Sequence, residues 1–312
     1  MAHPTKALAL VALLLLCLSS IPLAAQASTS TDYRGSAPEE RQAIYEAAWD
    51  SGGLRFRATF HDLLTDKAAN DTAADFIRAK IREIVKDAAT AAKLSDFDHP
   101  YAAKRPPIDT DYFETFNRDN VELVDVRAAP IERITPRGIR TRDAEYPFDI
   151  IVFATGFDGM TGSLLRMDIL GRDGLSLAKA WAAGPRNYLG LQVDGFPNLF
   201  TVTGPGSPSV LCNMPVPIEQ HVEWITDCIA HLRNHGLKRI EPSNEAVDSW
   251  VAEVNAAAEA TLLPQAKHSW YLGANIPGKP QVFMPYAGGM ARYRKICSDV
   301  AAKNYEGFRL SA

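Results

Sequence analysis

Phe148-Asp149-Ile150-Ile151-Val152-Phe153-Ala154, followed by Thr155-Gly156, is the strongest strand signal in the chain. The run is almost continuously apolar and rich in β-branched residues, which is typical of a strand buried on both faces of a parallel sheet. Residues 199–203 have the same character and end at Gly204-Pro205-Gly206, after which apolar residues keep helical spacing over residues 218–232. This order of strand, glycine loop and helix predicts an open α/β sheet that binds ligands beyond the carboxyl ends of its strands.

The sequence upstream of Pro100 has the apolar periodicity of helices rather than of strands. Residues 37–94 place apolar side chains on one helical face, with one interruption at Ser51-Gly52-Gly53. Because no strand-like run occurs there, a small helical subdomain is predicted over residues 37–99.

Weaker signals complete the expected element order. Short strands are predicted at residues 121–126, 131–134 and 139–141, the last of them after the turn Pro136-Arg137-Gly138. Helices are predicted at residues 218–232, with Gly236 as the natural end, and at residues 244–260.

The composition is that of an ordinary globular protein. The chain has 312 residues, of which 46% are hydrophobic and 22% are charged, enough to bury a sizeable core in one or two domains. The formal net charge is -4, and Lys and Arg are scattered along the chain without forming a basic stripe. No nucleic-acid partner is expected, because such binding needs concentrated positive charge.

The first thirty residues differ in kind from the rest. Lys6 precedes an apolar run at residues 7–18, and Ala25-Gln26-Ala27 is a small-x-small site, so a signal peptide is predicted over residues 1–27, with export as its consequence. A membrane anchor and a foreign leader joined to an enzyme fragment are the alternatives. Removal of the leader, which contains Cys17, would leave three cysteines: Cys212, Cys228 and Cys297. These three conflict with export, since they are odd in number, widely spaced and without a disulfide pattern.

Several common kinds of site are missing from the sequence. No G-x-G-x-x-G follows a strand, and at the nearest candidate, Gly204-Pro205-Gly206, Ser209 stands where a third glycine should be. The chain also has no H-E-x-x-H, no G-x-S-x-G and no credible metal cluster among its seven histidines. Hydrolase and metalloenzyme functions are therefore disfavoured, and no metal site is predicted.

Seven short segments follow one another along the chain. They are Ala103-Lys104-Arg105-Pro106, Glu114-Thr115-Phe116-Asn117-Arg118-Asp119-Asn120-Val121, Ile134-Thr135-Pro136-Arg137-Gly138, Phe153-Ala154-Thr155-Gly156-Phe157-Asp158, Gly204-Pro205-Gly206-Ser207-Pro208-Ser209, Ile218-Glu219-Gln220-His221-Val222-Glu223-Trp224 and Ser269-Trp270-Tyr271-Leu272-Gly273-Ala274-Asn275. In order and spacing, this set resembles the C-terminal portion of Baeyer–Villiger monooxygenases of the phenylacetone and cyclohexanone monooxygenase type, over about residues 33–310.

The resemblance implies an α/β fold, a partial flavoprotein with two dinucleotide-binding domains and a helical insert, whose N-terminal half is missing. The insert would occupy residues 37–99, the returning part of the NADPH-binding domain residues 100–153, and the returning half of the FAD-binding domain residues 154–312. The sequence contains neither the family's two glycine loops nor its F-x-G-x-x-x-H-x-x-x-W segment.

The resemblance also implies a reaction in which a ketone, O2 and NADPH give an ester or lactone, with FAD and NADP(H) as cofactors. Arg105 would be the catalytic arginine, because a permanently charged planar guanidinium suits a peroxide anion that must stay deprotonated. Lys104 would meet the NADPH phosphate, and Trp270 would lie over the nicotinamide cofactor. From the residues alone, Lys104-Arg105 also fits a solvated loop pair, and Trp270 a core tryptophan.

In the same family, the loop at residues 204–214 would present backbone amides and a helix N-terminus to the flavin. Cofactor contacts are expected from Gly204, Gly206 and Met214, and a ketone pocket from Ser209, Val210 and Leu211. An ordinary strand-to-helix turn is the alternative for this loop.

For the chain as a whole, the alternative to a truncated monooxygenase is a non-catalytic remnant or an exported interaction module. The isolated chain is expected to bind neither FAD nor NADPH tightly, and a partner that supplies the missing N-terminal half is expected. The identity of the ketone and the oligomeric state do not follow from the sequence.

Overall fold

The computed structural model describes residues 32–312, so the predicted leader at residues 1–27 lies outside the described residues. The chain divides into two compact units, one ending at His61 and the other spanning Asp62–Ala312. The domain boundaries expected at residues 99/100 and 153/154 stay predictions.

The first unit is built on helix α1, Pro38–Ser51. Proline at the first helical position and two glutamates in the first turn suit a helix start, and Gly52 ends the helix with a φ of 65°. The buried Tyr45 of α1 stacks on Phe56 with ring centroids 5.1 Å apart and meets Phe60 edge-on at 5.5 Å. These three aromatic rings form the apolar centre of the unit.

The second unit begins with helices α2, Lys67–Ile84, and α3, Ala88–Leu94. Asp66 and Asp87 cap them, since each carboxylate accepts a hydrogen bond from an amide in the first turn. The helical pattern predicted for residues 37–94 is therefore confirmed, and no strand occurs in the described part of that region.

The remaining elements follow in chain order. They are α4 (Tyr112–Thr115), β1 (Ile131–Thr135), β2 (Gly138–Thr141), β3 (Glu145–Pro147), α5 (Gly162–Leu165), α6 (Leu177–Ala180), α7 (Pro215–Asn234), β4 (Arg239–Pro242), α8 (Asn244–Glu259), α9 (Met290–Ala302) and β5 (Phe308–Ser311). The strands form two antiparallel sheets, one in the order β1-β2-β3 and one pairing β4 with β5. The predictions at residues 131–134, 139–141, 218–232 and 244–260 are confirmed, whereas α9, β4 and β5 were not predicted.

The largest core lies among α7, α8, α9 and the β4–β5 pair. Trp224 of α7 and Trp250 of α8 are buried there, and the Trp224 ring nitrogen donates a hydrogen bond to the Cys297 carbonyl of α9 at 3.0 Å. Satisfying this indole N–H allows a large ring to be buried without an orphaned donor. The core thus gives α7, which carries part of the candidate site, a rigid backing.

Three strand predictions are wrong. Residues 121–126 form no strand, because the Asp125 carboxylate accepts from the amides of Arg127 and Ala128 and closes a turn instead. Residues 199–203 make only an isolated bridge, between Phe200 and Gln192.

The third error concerns the strongest signal. Residues 148–154 form no strand in the described structure, and Ile150 and Val152 are 81% and 83% exposed. A strand exists only beside a partner that completes its hydrogen-bond ladder, and the described residues place none there. None of the helices between Asp32 and Ala312 combines the length and the apolar character that crossing a membrane requires.

Candidate functional site

The loop that carries Lys104 and Arg105 is anchored at its base by a buried asparagine of α2. Asn70 is 1% exposed, and its side-chain oxygen accepts from the Tyr101 amide at 2.7 Å. Its side-chain nitrogen donates to the carbonyls of Tyr101 at 2.9 Å and Leu63 at 2.7 Å. Asn70 therefore fixes the backbone a few residues before the candidate cations.

The two cations of this loop have different surroundings. Lys104 lies 3.6 Å from the Asp98 carboxylate, and Arg127 lies 3.5 Å from its other oxygen. Burial by itself raises the pKa of Asp98, but the charges of Lys104 and Arg127 outweigh burial, so that pKa falls below its ordinary value. Arg105 is exposed and forms no ion pair within the described residues. Its guanidinium is free to meet an anion, whereas Lys104 is partly neutralised.

Positions 204 and 206 require glycine, because other parts of the chain lie too close to leave room for a side chain. A Cβ on Gly204 would lie 2.6 Å from the Gly190 carbonyl, and one on Gly206, where φ is 82°, would lie 2.9 Å from the Asn187 side-chain oxygen. The Gly206 amide donates to the Met284 carbonyl at 2.6 Å. Neither glycine therefore opens a cradle for a phosphate, and their cofactor contacts stay predictions.

The start of α7 offers few free donors. Pro215 and Pro217 have no N–H, and the Val216 amide donates to the Asn213 carbonyl at 3.0 Å. The amides of Asn213 and Met214 make no hydrogen bond within the described residues. These two amides fit an acceptor such as a flavin carbonyl, supported by the helix dipole. The sequence has no G-x-G-x-x-G loop after a strand that would cradle the pyrophosphate of a dinucleotide.

A buried histidine holds the beginning of the same loop. His221 of α7 is 0% exposed, and its Nδ1 accepts from the Thr203 amide at 2.8 Å. Its Nε2 lies 2.7 Å from the Tyr293 hydroxyl, and that hydroxyl donates to the Leu189 carbonyl at 2.5 Å. These partners select the neutral imidazole with its proton on Nε2. Burial lowers the pKa of His221 to about 4 and so favours this neutral form.

The predicted pocket residues and Trp270 lie together, around residues 158–160. The Ser209 hydroxyl is 3.5 Å from the Met160 sulfur, and a Cβ on Gly159 would come within 2.8 Å of the Trp270 ring. Val210, Leu211 and Trp270 pack in one apolar cluster. Within the described residues, no hydrogen bond or ion pair joins this group to the Lys104-Arg105 loop.

An ion pair that the sequence did not predict locks this arrangement. Lys279, whose side chain is 11% exposed, forms a salt bridge with Asp158 and donates to the Gly159 carbonyl at 3.3 Å. Asn275 donates to the Phe157 carbonyl at 3.1 Å. Since Asp158 and Lys279 are 121 residues apart, no local pattern could have identified the pair. Between Asp32 and Ala312, no group of His, Cys, Asp and Glu could hold a metal ion.

Comparison with known proteins places these segments among flavin-dependent monooxygenases. No protein-family model matches the chain. The chain is 45% identical over 273 residues to a Baeyer–Villiger monooxygenase of Pseudooceanicola batsensis, a match that covers 86% of this chain and 49% of that protein. It is 44% identical over 273 residues to the cyclohexanone 1,2-monooxygenase of an Acinetobacter species, with the same coverage of 86% and 49%. The chain thus spans about half the length of the curated relatives it matches.

Solved structures agree with the sequence matches. An oxidised steroid monooxygenase bound to NADP superposes with a TM-score of 0.83 at 51% identity, covering 90% of this chain and 52% of that chain. The OTEMO protein in complex with FAD and NADP superposes with a TM-score of 0.86 at 42% identity, with the same coverage of 90% and 52%. By fold, the chain corresponds to about half of an α/β flavin-dependent monooxygenase such as the OTEMO protein. More particularly, it is a homologue of the C-terminal portion of the Baeyer–Villiger monooxygenases.

Proposed function

We propose that this chain forms the C-terminal half of an FAD- and NADPH-dependent Baeyer–Villiger monooxygenase. The reaction converts a ketone, O2, NADPH and a proton into an ester or lactone, NADP+ and water. The observation that carries the proposal is the agreement of sequence and fold over about nine tenths of this chain with a protein in complex with FAD and NADP.

Each candidate residue has a role that suits its surroundings. Bound FAD would supply the activation of O2. Arg105, exposed and without an ion pair to any described residue, stabilises negative charge beside the substrate, and a guanidinium does so without titrating. Lys104 contributes a point charge for a cofactor phosphate, although the nearby Asp98 carboxylate partly neutralises that charge.

The second group of residues shapes the pocket and the cofactor contact. Ser209, Val210 and Leu211 line the ketone side, and Trp270, packed on Gly159, covers the nicotinamide side. The Met214 amide, free within the described residues, donates to the flavin. Gly204 and Gly206 act through the loop shape that their close packing permits.

The proposal requires a second half-fold that supplies the phosphate-binding glycine loops. That half can belong to the same polypeptide or to a separate one. Without it, the chain would be a non-catalytic remnant or interaction module. The two functions differ in cofactor content, since an enzyme with both halves holds flavin and a remnant does not.

A fused protein tests the proposal. The N-terminal half of the Acinetobacter cyclohexanone 1,2-monooxygenase is joined to residues 32–312 of this chain and given FAD, NADPH and a panel of ketones. Formation of ester or lactone, measured by gas chromatography, is the expected result. The relative's own two halves, joined in the same way, are the control. A fusion that retains bound flavin and oxidises NADPH without making ester from any ketone would refute the proposal.

Export is part of the proposal and rests on the leader pattern alone. If residues 1–27 are removed as a signal peptide, the mature chain begins at Ser28. Mass spectrometry of the protein recovered outside the cytoplasm is expected to find Ser28 as the first residue. Recovery of the whole protein in the cytoplasm with residues 1–27 still attached would contradict export.

A further inference from the structure

Lys279 contacts both the turn that carries Trp270 and the segment on which the Trp270 ring lies. A Cβ on Gly273, which ends that turn with a φ of 71°, would lie 3.2 Å from the Lys279 Cδ. At its far end, the Lys279 ammonium pairs with Asp158 and donates to the Gly159 carbonyl at 3.3 Å. One side chain thus joins two parts of the chain that are 121 residues apart.

The Trp270 ring lies against bare backbone at Gly159. A Cβ on Gly159 would come within 2.8 Å of the ring, so a glycine is needed there, and it presents no side chain with which the ring could interlock. Trp270 is only partly buried, at the edge of its apolar cluster. Because dispersion contact weakens steeply as a gap opens, the position of the ring depends on how closely the turn is held against residues 158–160.

The Asp158 carboxylate is itself held in place. A Cβ on Gly162, at the start of α5, would lie 2.5 Å from the carboxylate carbon of Asp158, so the carboxylate fills the space of a side chain at position 162. The Asp158 and Lys279 side chains are 30% and 11% exposed. Removal of one partner from such a shielded pair leaves the other charge without its counterion, which costs more than the loss of an exposed pair.

A second contact joins the same two parts of the chain but is less protected. Asn275 donates to the Phe157 carbonyl at 3.1 Å, and Asn275 is exposed, so water competes for this hydrogen bond. The turn itself is closed by the Gly273 amide, which donates to the Trp270 carbonyl at 3.1 Å. Attachment of this closed turn to the segment before α5 therefore rests mainly on Lys279.

We propose that Lys279 and Asp158 are positioning residues for the nicotinamide cofactor, because their ion pair holds Trp270 where it covers the nicotinamide side. The inference rests on the proposed function, in which Trp270 has that role. A pair that acts only through Trp270 stabilises the bound cofactor equally in the ground state and in the transition state. Its loss therefore weakens cofactor binding and leaves turnover at saturation nearly unchanged.

Hydrogen exchange tests the effect of the pair on the turn without reading activity. In the fused protein without NADPH, Lys279→Met removes the charge and keeps an unbranched apolar stem. Exchange of the Gly273 and Ala274 amides is expected to be roughly tenfold faster or more, since the turn opens more often. Lys295→Met is the matched control, because Lys295 pairs with Asp299 on the exposed side of α9, and its effect is expected to stay within about twofold.

Titration with NADP+ tests positioning itself. The Kd for NADP+, measured by calorimetry, is expected to rise roughly tenfold or more in Lys279→Met and to stay within about twofold in Lys295→Met. Lys279→Arg keeps a cation for Asp158, so its Kd is expected to stay within about threefold of the parent's. In ester formation, Lys279→Met is expected to raise KM for NADPH by the same factor as Kd and to change kcat by less than about threefold.

The outcomes separate positioning from a merely structural role and from the proposed function. Unchanged affinity for NADP+ in Lys279→Met would overturn the inference even if the turn exchanged faster, because the pair would then stabilise only the fold. Equal losses of affinity in Lys279→Met and Lys295→Met would overturn it too. A selective loss in a fusion that makes no ester would support the inference and not the proposed function. A parent fusion that binds no NADP+ would overturn both.

Discussion

Asn70 and His221 hold the two candidate loops by the same device. Each is a buried polar side chain that hydrogen-bonds the backbone of a loop, Asn70 through its oxygen and its nitrogen, and His221 through its Nδ1 acceptor. Such a side chain stabilises only one backbone arrangement, because any other leaves a buried polar atom without a partner. The exposed Arg105 depends on this device, since within residues 32–312 its own side chain forms no hydrogen bond or ion pair that would position it.

Replacement of Arg105 tests the catalytic assignment. In the fused protein, Arg105→Ala is expected to lower the rate of ester formation at least 100-fold, the scale for loss of a donor that stabilises a developing anion. Arg105→Lys is expected to be severely impaired, because a compact ammonium cannot reproduce planar multi-donor contacts. Circular dichroism should show an intact fold, since Arg105 is exposed.

Arg118→Ala serves as the control for this experiment, because it removes another exposed arginine and should leave the rate unchanged. A rate for either Arg105 variant close to that of the parent would return Arg105 to the status of a solvated loop cation.

The lowered pKa of His221 predicts that the folded chain loses stability in mild acid. Its pKa is about 4 in the folded chain against 6.5 for an ordinary histidine, so the unfolded chain binds the proton more tightly. The contribution to the free energy of unfolding is complete above about pH 6.5 and is lost as the pH falls towards 4. One such proton gives a slope of about 1.4 kcal/mol per pH unit, or about 3 kcal/mol over this window.

Urea unfolding across pH 4 to 7 measures this slope. His221→Gln keeps an acceptor for Thr203 and a donor for Tyr293 but does not titrate, so its unfolding free energy should fall less steeply with acid. His235→Gln, which removes an exposed histidine, should retain the slope of the parent. Identical slopes for the parent and His221→Gln would show that His221 is not the responsible group.

At the scale of elements, the confirmed predictions concern mainly helices, whose backbone hydrogen bonds lie within the element itself. Helices α2, α7 and α8 each have an apolar face and ends marked by caps or prolines, so their positions follow from local pattern. The polar Asn70 on the buried face of α2 was the available sign of a structural role, because such a side chain must find partners. The local pattern of residues 148–154 could not decide their structure in this way, since a strand needs a second strand to complete its hydrogen bonds.

Asn70→Ala tests the link between α2 and the Lys104-Arg105 loop. Loss of the three hydrogen bonds to Tyr101 and Leu63 is expected to lower the free energy of unfolding by about 2–3 kcal/mol, measured by urea unfolding. Asn244→Ala, which removes an exposed asparagine, is the control and should change it by less than about 0.5 kcal/mol. Equal effects of the two substitutions would show that Asn70 does not anchor the loop.

At the scale of the whole molecule, the groups that would contact the flavin ring are present, whereas the loop that would supply most of the affinity for the cofactor is not in the sequence. The described chain has free amides at Asn213 and Met214 for a flavin ring, but it has no glycine loop for a pyrophosphate. Most of the expected affinity for a dinucleotide therefore belongs to the other half of the fold.

Flavin titration of the isolated chain tests this division. Quenching of FAD fluorescence is expected to show no saturable binding below about 100 μM, a weak affinity on the general scale of dissociation constants. The fused protein, examined in parallel, should saturate at low micromolar FAD. Saturation of the isolated chain in that low range would contradict the prediction.

The sequence by itself determined the helices of α2, α7 and α8, the hairpin of β1 and β2, and the relationship to Baeyer–Villiger monooxygenases. Helices and hairpins are formed by residues that are neighbours in the chain, and a series of collinear motifs can be recognised in the sequence alone. Only the tertiary structure paired Asp158 with Lys279, assigned His221 to Thr203, and showed residues 149–156 unpaired. Each of these depends on groups far apart in the chain or on a partner strand, and local periodicity holds no information about either.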